Sequence, residues 1–210
     1  MEKFETLTGI AAALPQENIN TDAIIPVRWI VNYGQDLGKG LFGGWRYDLA
    51  GKENPEFILN RPPFRDAKIL LAGRNFGCGS SREEAVWALL GFGIRCVIAP
   101  SFGDIFFENS FKNSLLPVVM DAKDIAVLAQ DPKFLADRAL SVDLRLRRVS
   151  VPNGAVSAAF SIAEERRAAL LSGLDHIGST LTHAAEIAAF QAKDRSRRPW
   201  IYRSNPTRTG

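Results

Sequence analysis

The stretch KILLAGRNFGCGSSREEAVWALLGFGIRCVIA, residues 68–99, decides the fold. It opens with a short apolar run, residues 68–72, halted by Gly73, which reads as a buried strand. Residues 74–79 make a glycine-rich loop. A helical pattern follows, with Ala85, Val86, Leu89 and Leu90 on one face, and Gly91 and Gly93 close it. Residues 96–99 (Cys-Val-Ile-Ala) give a second buried strand. Strand, helix and strand in one continuous stretch make a βαβ crossover, hence a parallel pair with a right-handed connection.

Upstream, residues 6–14 read as a strand, followed by a polar stretch and the apolar Ile24-Ile25-Pro26. Residues 32–66 carry many Gly, Pro and Asn and read as a long loop region with little regular structure. Downstream, a second helix over about 104–112 and a strand at 115–120 extend the parallel unit. Beyond Asp121 the pattern changes. Val142, Leu144 and Leu146 alternate with polar residues, which places Arg145 and Arg147 on the wet face of a strand. The alternation resumes at Val149 and Val151, and Asn153-Gly154 predicts a hairpin turn before residues 155–162. Two helices close the chain, residues 163–172 with Gly173 as cap, then about 179–193. The reading is α/β: one domain over residues 1–203, a parallel βαβ core with added antiparallel strands, and a flexible tail at 204–210.

Composition narrows the function. Of the 210 residues 46% are apolar and 23% charged, which excludes a disordered tail, a collagenous repeat and a disulfide-dense mini-protein. No apolar run approaches the roughly 18 residues of a membrane span. The start, Glu2-Lys3-Phe4-Glu5, lacks the apolar core of a signal peptide, so the cytoplasm is expected. A net charge of +3 without basic residues interleaved among aromatics argues against nucleic acid. An iron–sulfur cluster is usually held by four thiolates, and the chain has two cysteines, Cys78 and Cys96. Its two histidines, His176 and His183, fall seven apart in a predicted helix, roughly 10 Å along one face and too far to share a metal. Any metal chemistry must come from a partner.

The loop ahead of the crossover helix is where chemistry is expected. A helix start offers unpaired N–H groups and the positive end of the dipole. Gly77 and Gly79 let the backbone approach a ligand closely, and Arg82, in the first turn, adds a guanidinium fork suited to a carboxylate or phosphate. The spacing is not a P-loop, because Arg74 stands where glycine is needed, nor a dinucleotide fingerprint, because Arg82 stands at its third glycine. An ordinary capped helix is the competing reading, since Ser80-x-x-Glu83 and Ser81-x-x-Glu84 each spell a capping box. Spacing alone leaves both open. Cys78 has no adjacent base and reads as a packing residue rather than a nucleophile.

The loop resembles the motif of the aconitase superfamily's swivelling domain, and within it the small-subunit family of isopropylmalate dehydratases. The resemblance covers most of the chain: Asn20-Thr21-Asp22-Ala23-Ile24-Ile25-Pro26, Trp45-Arg46-Tyr47, residues 71–83, residues 99–117 (APSFGDIFFENSFKNSLLP), residues 170–177 (LLSGLDHI) and Pro199-Trp200. It implies a three-layer β/β/α fold like the last domain of aconitase. It also implies a two-chain hydro-lyase with a [4Fe–4S] cluster on its large subunit, leaving this chain without a cofactor of its own. By the same resemblance Ser80 is the catalytic base, Ser81 and Arg82 bind a substrate carboxylate, and Thr21 and Asp22 line the site. The loop carrying Arg28, Trp29, Ile30 and Val31 reads the substrate's variable group. Its apolar residues favour a branched alkyl substituent over a third carboxylate.

The implied reaction converts 2-isopropylmalate to 3-isopropylmalate through 2-isopropylmaleate, in leucine biosynthesis. The alternatives are a related hydratase of the citraconate (methylmalate) or homoaconitate type, or a non-catalytic anion-binding paralogue. The chain departs from the family pattern at Glu84, where histidine is usual, at Ser114, where glycine is typical, and more mildly at Gly103, usually alanine. Ser80, Ser81 and Arg82 are intact.

Overall fold

The computed structural model describes residues 2–33, 36–79, 82–174 and 176–202. Where the sequence reading draws one domain to residue 203, the packing divides the chain into two compact units, Met1–Gly173 and Leu174–Gly210.

In the larger unit, strand β1 (Thr6–Leu14) leads into three short helices, α1 (Thr21–Ile24), α2 (Val27–Tyr33) and α3 (Gly43–Arg46). Strand β2 (Ile69–Ala72), helix α4 (Glu83–Phe92) and strand β3 (Cys96–Ala99) form the expected crossover. Helix α5 (Asp104–Lys112) and strand β4 (Leu116–Val119) continue it. Then come α6 (Ala122–Gln130), α7 (Pro132–Asp137), β5 (Ala139–Asp143), β6 (Arg148–Ser150), β7 (Ser157–Ala159) and α8 (Glu164–Ser172).

The strands make one sheet in the order β4-β3-β2-β1-β5-β6-β7. Its hinge is β1. Residues 11–14 run parallel to β2, with Ala11 opposite Ile69, while residues 6–10 run antiparallel to β5, with Thr6 opposite Asp143. Side chains alternate across the parallel strands and feed two cores. Ala12, Leu14, Leu70, Ala72, Val97 and Ala99 pack against Ala85, Val86, Ala88 and Leu89 of α4. The opposite face, with Ile69, Leu71, Ile98 and Val118, shares its core with Leu140, Val142 and Val149 of the antiparallel strands. The antiparallel half therefore curls over the parallel half, and the layers are β/β/α as the resemblance implies.

Several local expectations are corrected. Residues 32–66 are less irregular than their composition indicates: besides the end of α2 and α3 they hold three 3-10 turns, Leu37–Gly40, Ile58–Asn60 and Phe64–Asp66. Buried Arg46 organises this segment. Its Nε donates to Asn60 Oδ1 at 3.0 Å and its Nη1 to the Gly38 and Leu41 carbonyls at 3.3 and 3.4 Å, with burial pushing its pKa down. Residues 144–147 are a turn between β5 and β6, not a continuing strand. Arg147 adopts a left-handed φ of 55°, and Leu146 N–H is held by Asp143 Oδ1 at 2.8 Å. Apolar–polar alternation that crosses a turn imitates one long strand.

The smaller unit holds α9 (His176–Leu181), α10 (Ala184–Arg197) and a closing 3-10 turn, Pro199–Tyr202. His183 is the N-cap residue of α10, so the two histidines belong to separate helices rather than one face. Buried Asp194 ties the end of α10 together, accepting from Arg198 Nε at 2.6 Å and Tyr202 Oη–H at 2.9 Å. Among the described residues no helix is long and apolar enough to cross a membrane.

Candidate active site

The site is built at the carboxyl ends of the parallel strands β1 and β2, the edge where open α/β sheets place ligands. After β1 the chain reaches Asn20, whose Oδ1 accepts from Ala23 N–H at 2.8 Å and so caps α1. After β2 the chain enters the glycine loop, and the two segments are joined by backbone hydrogen bonds. Gly77 N–H donates to the Ile19 carbonyl at 2.7 Å, and Thr21 N–H to the Cys78 carbonyl at 2.9 Å. On its other side the loop is held by the turn after β3. Phe76 N–H donates to Ser101 O at 3.1 Å, Asn75 N–H to Ser101 Oγ at 2.9 Å, and Gly103 N–H to Phe76 O at 2.9 Å.

Two glycines are dictated by this geometry. Gly77 has φ +73°, and a Cβ there would lie 2.2 Å from Phe106 Cγ. Gly103 lacks a positive φ, but a Cβ on it would lie 2.6 Å from the Gly77 carbonyl oxygen. Alanine is not a mild change there, because the loop backbone fills its place.

Arg82 is the N-cap residue of α4, one position ahead of the first turn, and makes no side-chain cap hydrogen bond. With Arg82 at the cap, the third helical position is Ala85, so neither Glu83 nor Glu84 can close a capping box. Both acids still complement the positive end of the helix. Glu83 Oε1 accepts from Asn113 Nδ2 at 2.7 Å, and Asn113 Oδ1 accepts from Trp87 Nε1 at 3.0 Å, which ties the start of α4 to the end of α5. The Arg82 guanidinium, largely buried, pairs with the exposed Asp22 carboxylate.

Thus the structure brings Thr21, Asp22 and Arg82 together around the glycine loop. Ser80 and Ser81 lie outside the described residues. The four residues expected on a specificity loop lie instead on helix α2 and divide by environment. Trp29 is a core residue, 5.0 Å from the Tyr47 ring centroid, with its indole covering Gly43. Ile30 is half-buried against the same core, Arg28 lies over the Trp29 ring, and Val31 is exposed. Sequence reasoning missed the loop's supports, Asn18, Asn75 and Ser101. Asn18 and Asn75 both take left-handed φ, and Asn75 Nδ2 donates to Asn18 Oδ1 at 2.8 Å. Asparagine at the start of a glycine-rich loop was the available signal, since it tolerates that conformation.

This chain's residues do not fit a [4Fe–4S] cluster. Cys96 is wholly buried inside β3, where burial pushes its thiol pKa up and disfavours the thiolate a metal requires. Cys78 is then the one remaining thiol, and among the described residues no three His, Cys, Asp or Glu side chains converge as metal ligands.

A β/β/α domain with a glycine loop and an arginine at a parallel-strand edge defines a class, and comparison gives it a name. The family model of the aconitase C-terminal domain matches residues 1–123, and that of the C-terminal domain of the 3-isopropylmalate dehydratase small subunit matches residues 177–204. Proteins named 3-isopropylmalate dehydratase small subunit from Agrobacterium fabrum and Dinoroseobacter shibae are 50% and 49% identical, over 95% and 96% of this chain and the whole of theirs. A crystal structure of 3-isopropylmalate dehydratase from Methanocaldococcus jannaschii shares the fold, with a TM-score of 0.62 at 22% identity over 90% of this chain and 99% of that one. The chain belongs to the family of 3-isopropylmalate dehydratase small subunits.

Proposed function

We propose that this chain is the small subunit of a cytoplasmic two-chain hydro-lyase that interconverts 2-isopropylmalate and 3-isopropylmalate through 2-isopropylmaleate. The observation that carries this reading is the convergence of the Thr21-Asp22 segment with the glycine loop and Arg82 at one strand edge. The large subunit would hold the [4Fe–4S] cluster, which as a Lewis acid would polarise the leaving hydroxyl.

This chain's part is to bind, orient and move a proton. Arg82 presents a bidentate fork to a substrate carboxylate, with Ser81 beside it. Ser80 takes the proton from C3 as hydroxide leaves C2, and returns a proton to C2 as hydroxide adds at C3. A serine hydroxyl is a very weak base at neutral pH, and the loop sequence offers no histidine to assist it. Its alkoxide therefore needs the N–H groups at the start of α4 and the Arg82 charge, in a site closed to water. Asp22, paired to Arg82, holds the guanidinium in place until a substrate carboxylate competes for it. Among the four α2 residues, Trp29 supports from within the core, which leaves Ile30, Val31 and Arg28 to meet the substrate's alkyl group.

The test is reconstitution with a cluster-bearing large subunit. Ser80→Ala should lower kcat by at least about 10²–10⁴, the usual contribution of a positioned base, with assembly intact. Near-normal turnover by that variant would remove Ser80 from the mechanism.

A further inference from the structure

On the sheet face opposite α4, a cavity of about 310 Å³ opens between the carboxyl ends of the parallel strands and helix α6. It is distinct in position from the α4 start. Its walls are apolar: Ala13 and Leu71 from the strands, Ile125 and Ala129 from the helix. The void exists because alanines stand on both walls where larger side chains would meet. At its rim Arg74 Nη2 and Glu17 Oε2 sit 3.6 Å apart, both more than half exposed. Such a pair contributes at most about 1 kcal/mol and is readily opened. Helix α6 begins at the same rim with Ala122, and its N-cap residue Asp121 makes no side-chain cap hydrogen bond. Asp121 and Asp124 already place negative charge at this helix start, so the carboxylate partner at the rim is Arg74.

One ligand chemistry matches the apolar walls and the paired charges at the rim. We propose that this cavity binds a small apolar α-amino acid, with its carboxylate on Arg74, its ammonium on Glu17, and its side chain between Leu71 and Ile125. The volume is at the lower end of the roughly 300–1,000 Å³ range of small-molecule sites, so the ligand is small. The two rim segments also lead into the proposed active site, and they are tied together by Asn18 N–H donating to the Arg74 carbonyl at 2.8 Å.

The experiment is titration of the full-length chain with L-norleucine, followed by amide NMR. Hexanoate, which lacks the ammonium, and pentylamine, which lacks the carboxylate, serve as single-charge controls. Norleucine should shift the amides of Glu17, Gly73, Arg74, Ile125 and Ala129, with each control binding at least roughly tenfold more weakly. Ala126→Trp places a ring into the cavity from an exposed position and should abolish binding with amide dispersion retained. Arg74→Gln leaves the cavity open and should weaken norleucine at least roughly tenfold while leaving pentylamine no weaker, since it frees Glu17. No saturable shift with norleucine, or hexanoate binding as tightly as norleucine, would overturn the assignment.

Discussion

Replacing Ser114 by glycine removes two penalties at one backbone position. Helix α5 ends in a Schellman motif: Leu115 N–H donates to Ser110 O at 3.0 Å and Ser114 N–H to Phe111 O at 3.4 Å. This motif puts the residue after the cap in the left-handed region, and Ser114 has φ +63°. A β-carbon there costs about 1–2 kcal/mol. The side chain is buried, and its hydroxyl has no hydrogen-bond partner among the described residues, which costs about 1–3 kcal/mol. Glycine gives back about 0.5–1 kcal/mol through its freer unfolded chain. Ser114→Gly should therefore stabilise the protein by about 1–4 kcal/mol, or about 2–4 °C in Tm for each kcal/mol at this length. Ser114→Ala separates the contributions, since it removes the hydroxyl and keeps the β-carbon. Urea unfolding of the three proteins, followed by tryptophan fluorescence, should give the order Ser below Ala below Gly. A glycine variant no more stable than the parent would refute the reasoning, and alanine equal to glycine would remove its backbone half.

Gly77→Ala, which drives a Cβ into Phe106 at positive φ, should cost about 2–4 kcal/mol and displace the glycine loop, read by the same unfolding assay. Arg82→Lys should raise KM in the reconstituted enzyme more than it lowers kcat, because a point charge cannot replace a fork; an unchanged KM would count against carboxylate binding. The reconstituted pair should show its highest kcat/KM with isopropylmalate, lower with citraconate and lowest with homoaconitate, and a preference for homoaconitate would reverse the reading of the alkyl site. In the smaller unit, the hydrogen bond from Arg198, reinforced by Tyr202, holds the Asp194 carboxyl below its ordinary value of 3.8, and the bond to Asp194 raises the Tyr202 phenol above 10.0. The depressed acid stabilises above its unfolded pKa and loses that effect as pH falls through the folded one; the raised phenol stabilises below its unfolded pKa and loses it as pH rises through the folded one. The helix end should thus be firmest between those limits, and Arg198→Gln should move the Asp194 carboxyl-carbon titration back toward 3.8.

The crossover was legible because each strand is a short apolar run, buried on both faces, and Gly73 and Gly93 punctuate it. Strand β1 was legible over its full length. Helices α6 and α7 went unread, although Asp131 followed by Pro132, the cap and first residue of α7, is a helix-start signal. Helices α1 and α3 span four residues each, too short to show a period; α1 has its local Asn20 cap, and α3 has tertiary contacts such as Gly43 under Trp29. In the site, residue types in the loop pointed to an anion, and family resemblance alone supplied Thr21 and Asp22. Trp29 was misplaced for a physical reason: an aromatic side chain beside a binding motif looks the same in sequence whether it faces substrate or core.

The double duty of β1 has a consequence for the nascent chain. Thr8 meets Ser141, 133 positions away, whereas the other half of the strand can pair with β2 as soon as that segment has emerged. During synthesis the first residues of β1 therefore wait as an unpaired, partly apolar edge until β5 leaves the ribosome. Loop-closure entropy delays such distant pairing, and an open edge is a template for other chains. Aggregation of truncated or stalled products should accordingly begin at the amino-terminal strand, upstream of everything the site requires.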